Sequence, residues 1–76
     1  MPGMAGNPAV RLVERFGGRA EVAEHFEISV EAVRLWLKNG IPADRALDVE
    51  EATRGTRYAI KASEVLQYAR AQREAA

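Results

Sequence analysis

What most limits the fold of this chain is its punctuation. Gly17-Gly18, Glu27-Ile28, Asn39-Gly40 and Gly55 cut 76 residues into short segments. Within each segment the apolar residues recur at spacings of three and four, which is helical periodicity. Helices this short are marginal in isolation and must be held by packing against one another. The expected fold is all-α: a compact bundle of five helices at about residues 8–16, 19–26, 30–38, 43–53 and 62–73. They are expected to form one domain over residues 7–76, after a disordered tail at residues 1–6 that has neither the basic cluster nor the apolar stretch of a signal peptide.

The local signals assign starts and stops. Asn7-Pro8 reads as an Asx N-cap followed by proline at the first helical position. Ala9, Leu12, Val13 and Phe16 then make one apolar face, and Gly17-Gly18 ends the first helix. The second helix buries Ala20, Val22, Ala23 and Phe26. Ser29 caps the third helix, whose inner face is Val33, Trp36 and Leu37, and Gly40 is read as its left-handed C-cap. Pro42 opens a fourth helix with Ala46, Leu47, Val49 and Ala52 as its apolar positions, closed by Gly55. Thr56–Ile60 is read as an extended connection. Val65, Leu66 and Ala69 point inward from the last helix, with Tyr68 at the margin.

Composition removes several function classes. Cysteine is absent and His25 is the single histidine, so there is no disulfide staple and no zinc ligand set. The absence of cysteine fits a cytoplasmic location. There is no cysteine nucleophile, no defined histidine–carboxylate set, no phosphate-binding glycine loop and no metal cluster, so the chain is expected to be neither an enzyme nor a cofactor protein, with no small-molecule substrate. No apolar run approaches the roughly 20 residues that cross a bilayer. Net charge is zero, whereas DNA-binding domains are usually basic. The charge is unevenly spread: residues 1–53 carry six Lys/Arg against nine Asp/Glu, and residues 54–76 carry five against two.

The segment from Arg19 to Lys38 has the grammar of a helix-turn-helix. A short helix carries a small residue, Ala23, where another helix must cross closely. A tight turn follows with the apolar plug Ile28, and a second helix sets Val33 and Trp36 on the core side.

At this point the residues resemble a known family. Phe16-Gly-Gly-Arg-Ala-Glu-Val-Ala23, Ile28-Ser29, Ala32-Val33-Arg-Leu-Trp36, Ile41-Pro42 and Ala52-Thr53-Arg-Gly55 resemble the Cro repressors of lambdoid phages and the related YdaS-type bacterial antitoxin and regulator domains. The resemblance runs from about Leu12 to Gly55. It implies a helical domain that represses transcription by binding operator DNA, usually as a dimer. The chain departs from the family at three places. Glu27 stands where the family usually has glycine, Arg19 where it often has glutamine, and Leu35 where base-reading residues are often polar.

In this motif the second helix enters the major groove with its N-terminal part toward the base edges. The outward residues of Val30–Lys38 are Val30, Glu31, Arg34, Leu35 and Lys38. Arg34 suits guanine O6 and N7, Glu31 suits cytosine N4 or the orienting of Arg34, and Val30 and Leu35 suit thymine methyls. Arg19, Ser29 and Lys38 are placed for phosphates. Each has a plainer alternative: a solvated polar face for Arg34 and Lys38, a dipole-supporting acid for Glu31, a packing or oligomer residue for Leu35. Glu21, Glu24, Glu27 and Glu31 set acids near the same face and oppose phosphate, so a weak homodimer is expected to assist binding to double-stranded DNA. Tyr68, Arg70 and Arg73 are left between a dimer surface and a phosphate-contacting edge. Other readings are a helix-turn-helix protein-interaction module and a phage accessory DNA-binding protein, such as a small terminase subunit or excisionase.

Overall fold

The computed structural model describes residues 6–75, so the tail expected at residues 1–6 falls almost wholly outside the described residues. Helix α1 spans Pro8–Phe16, α2 Arg19–Phe26, α3 Val30–Asn39, α4 Ala46–Thr53 and α5 Ala62–Ala75, with a single 3-10 turn at Ala43–Arg45 before α4. No strand occurs among the described residues, and the fold is a small all-α helix-turn-helix domain. The Cα radius of gyration is 11.6 Å, close to the roughly 11 Å of a folded chain of this length.

The starts and stops follow from the side chains. Asn7 caps α1, its Oδ1 accepting from the Ala9 N–H at 2.9 Å, with Pro8 in the first turn. Gly17 ends the helix in the left-handed region, φ 89°, and its N–H donates to Val13. Glu27 takes the same conformation at the end of α2, φ 58° and ψ 47°. A side chain there costs about 1 kcal/mol or more, so this turn is held by its surroundings. The Ile28 N–H donates to Ala23 at 2.9 Å, closing the turn between α2 and α3.

The core joins all five helices. Leu12, Val22, Val33, Ile41, Val49, Ile60 and Val65 are all but inaccessible to solvent. Ala23 and Trp36 are buried with them, and Ile28 packs against the cluster from the turn. Phe26 lies edge-on to Trp36, ring centroids 5.7 Å apart, and Phe16 stands 6.2 Å from Phe26. This aromatic chain links α1, α2 and α3, and such pairs contribute about 0.5–1.5 kcal/mol beyond their burial. His25 is exposed at the margin of this group, its ring 4.6 Å from Phe16.

Several expectations from the sequence are corrected. Leu47 is 72% exposed and Leu66 46%, and Ala20 also faces solvent. The 3-10 turn sets the phase of α4 so that Ala46, Val49 and Thr53 form its buried stripe, which turns Leu47 outward. Helix α4 is therefore shorter than the expected 43–53. Its C-cap is Arg54, whose N–H donates to the Glu51 carbonyl, and Gly55 follows it in the left-handed region at φ 77°; the Thr56 hydroxyl and N–H both donate to the Thr53 carbonyl. Thr56–Tyr58 turns sharply instead of running extended, and Ile60 enters the core. Gly40 is not a left-handed cap: φ 104° and ψ 159° place it in a region open essentially to glycine alone. The chain must reverse there at once so that Ile41 can enter the core.

Helix α5 is tied to the rest at its start. Its first residue, Ala62, donates its N–H to Glu50 Oε1 at 2.7 Å. Arg11 of α1 donates to the Ala59 carbonyl at 3.0 Å and pairs with the Glu64 carboxylate. Burial pushes the Glu64 carboxyl up, but the bond and charge of Arg11 and the N–H and charge of Lys61 together hold it below its ordinary value of 4.5.

Candidate nucleic-acid interface

Helix α3 has two faces of opposite character. Val33 and Trp36 are buried, Trp36 only 6% exposed. Val30, Glu31, Arg34, Leu35 and Lys38 are all exposed. Glu31, Arg34, Leu35 and Lys38 are spaced at three, four and seven residues, so they share one side of the helix. The chain can hold such a face because the inner side is fixed by packing and the ends are fixed by hydrogen bonds.

At the N-terminal end Ser29 Oγ accepts from the Ala32 N–H at 3.1 Å, so this hydroxyl is the N-cap, and it remains exposed. At the C-terminal end Asn7 donates from Nδ2 to the carbonyls of Trp36, at 2.8 Å, and Leu37, at 3.0 Å. One side chain thus starts α1 and donates at the end of α3 to the Leu37 carbonyl, one of the terminal carbonyls beyond the helix's own N–H groups, and to the Trp36 carbonyl, which also accepts from the Gly40 N–H at 2.7 Å. Beyond it, the Tyr68 ring lies so close to Gly40 that a Cβ added there would come within 2.7 Å of ring Cδ2. These two contacts clamp the end of α3 from α1 and α5. Sequence reading gave Asn7 only its capping role; its second task depends on a contact 29 residues away, and no local signal carries it.

The charged groups on the face are loosely held. Arg34 Nη1 lies 3.6 Å from Glu31 Oε1, and both side chains are more than half exposed. An exposed pair at this distance is worth little, so the Arg34 guanidinium can exchange it for another acceptor. Lys38 lies in the last turn of α3, where a cation complements the helix dipole. Arg19 is the first residue of α2, whose N-cap, Gly18, has no side chain to satisfy the free N–H groups. That end is also acidic: the Glu21 carboxylate stands where a Cβ of Gly18 would be, 2.5 Å away. The structure brings Ser29, Val30, Glu31, Arg34, Leu35 and Lys38 together on the outer side of α3, while Arg19 stands apart on α2. Glu21, Glu24 and Glu27 are exposed as well.

Among the described residues no three of His, Asp and Glu converge as metal ligands, and no helix is long and apolar enough to cross a membrane. Comparison with curated proteins and with solved structures gives no match. One family model, described as bacterial toxin YdaS, matches residues 10–69, from the first turn of α1 to the middle of α5. The matched stretch takes in the helix-turn-helix together with α4 and most of α5, well beyond the part that carries the resemblance in sequence, and the chain belongs to the YdaS family.

Proposed function

We propose that this protein is a sequence-specific DNA-binding transcriptional regulator, a repressor of phage or prophage type, that inserts α3 into the major groove. The family description names a toxin and no nucleic acid, so the reading rests on α3 itself. The observation that carries it is the opposition of faces: Val33 and Trp36 fixed in the core, Arg34 and its neighbours free in solvent. Arg34 reads guanine through its planar fork, with Glu31 orienting it across one turn. Val30 and Leu35 meet thymine methyls, and Ser29, Lys38 and Arg19 take phosphates. It acts in the cytoplasm by binding rather than catalysis. A weak homodimer would set two such helices about 34 Å apart, one turn of DNA.

Arg34→Ala and Lys38→Ala separate the roles. Arg34→Ala should cost about 1–3 kcal/mol on the preferred duplex and relax preference at one position, whereas Lys38→Ala should weaken all duplexes alike. Wild-type affinity in both variants would refute the docking.

The zero net charge and the exposed Glu21, Glu24 and Glu27 favour a second reading, a protein-interaction module. Duplex affinity that does not change between low and moderate salt would support it, because phosphate binding is strongly salt-dependent.

A further inference from the structure

The geometry points to a second DNA contact, resting on the reading above: Arg73, near the end of α5, binds a backbone phosphate on the strand that borders the C-terminal end of α3. Two surface concavities carry the argument. One opens beside Leu35 on the edge of α3 and reaches Asn39, Gly40 and Pro42. The other, of about 560 Å³, begins at the same three residues and runs to Gln72 and Arg73. The two adjoin at Asn39, Gly40 and Pro42, and the trough they outline leads from the edge of α3 to the last turns of α5.

Helix α5 is held in this position by the contact of Tyr68 with Gly40. Ala69, Gln72 and Arg73 follow at spacings of three and four and line the far wall. Backbone phosphates flank any helix seated in the major groove, and contacts to them fix its register. A strand passing the Leu35 and Asn39 side of α3 therefore enters a trough that ends at a guanidinium, with the Asn39 and Gln72 amides as further donors.

Arg73 carries no ion pair among the described residues, as is also true of Arg15, Arg19, Lys38, Arg57 and Lys61, and its place in the trough is what distinguishes it. Arg34 is paired with Glu31, Arg54 with Glu50 and Glu51, and Arg70 with Glu74. Among the described residues neither Arg73 nor Lys38 has a carboxylate partner. Arg73 thus brings one of the five cations of residues 54–76 to the trough beside the C-terminal end of α3.

The test uses the full chain, with duplex affinity measured across a salt series on a preferred and an unrelated sequence. Arg73→Gln should weaken both duplexes by the same factor and lower the slope of log affinity against log salt by about 0.9. Arg57→Gln, which removes one charge from a residue outside the trough, should leave the slope unchanged. Arg73 is exposed, so the thermal unfolding of the variant should match the parent. Wild-type affinity and slope in Arg73→Gln, with losses retained in Arg34→Ala and Lys38→Ala, would overturn this contact and leave the α3 docking standing. Failure of the unaltered chain to bind either duplex would overturn both. A loss in Arg73→Gln that appears only together with a change in sedimentation mass would assign α5 to self-association and overturn the phosphate contact.

Discussion

The side-chain amide of Asn7 donates to the Trp36 carbonyl at 2.8 Å, joining the start of α1 to the end of the helix that carries the candidate interface. Asn7→Asp keeps the cap on Ala9 but turns the donor into a carboxylate oxygen facing the carbonyls of Trp36 and Leu37. The added charge gains about 0.3–1 kcal/mol from the helix dipole. Losing both bonds and leaving two carbonyls against an anion costs more, about 1–3 kcal/mol. Asn7→Asp should therefore be net destabilising in urea unfolding, and Asn7→Ser, which keeps a cap without the repulsion, should be less so.

Among the described residues Thr53 is the one buried polar residue in the core. Its hydroxyl donates to the Val49 carbonyl at 2.9 Å and accepts from the Ile60 N–H at 2.9 Å. Thr53→Val preserves shape and leaves the Ile60 N–H buried without an acceptor, which should cost about 1–3 kcal/mol. Thr53→Ser keeps both bonds and should cost less. Thermal unfolding of the two variants distinguishes a hydrogen-bond role from a packing role.

Glu64 makes stability depend on acid. Its folded-state pKa is lowered, so its contribution is present above the ordinary value of 4.5 and is lost as pH falls through the folded value. The carboxylate is partly exposed, so solvent screening keeps the effect modest. Glu64→Gln should be less stable than the parent at pH 7, and the difference should shrink on acidification below 4.5. Urea unfolding at a series of pH values reads this directly.

Local signals in the sequence located α1, α2, α3 and α5. They are side-chain caps, glycine stops and apolar spacing, all of which act within a few residues. The errors came where tertiary packing decides. In α4 hydrophobicity favours Leu47 over Thr53, but the core takes Thr53, because Val49 and Ile60 satisfy its hydroxyl. Ile60 lay in a segment with no helical period, so nothing nearby marked it as buried. In α5 Val65 and Leu66 are neighbours, and only one of them can face the core.

The outer side of α3 was legible for the same reason: once Val33 and Trp36 are placed inward, helical geometry dictates where Arg34, Leu35 and Lys38 lie. The clamps on its end were not legible. Asn7 with Trp36, and Tyr68 with Gly40, are contacts between residues far apart in sequence.

Selection of bound duplexes from a random DNA pool, run in parallel with the unaltered chain and with Arg34→Ala, tests the central claim most directly. The account predicts that the unaltered chain enriches a defined motif and that Arg34→Ala loses preference at one position within it. No enrichment by the unaltered chain, or the same motif at the same strength in both, would contradict it.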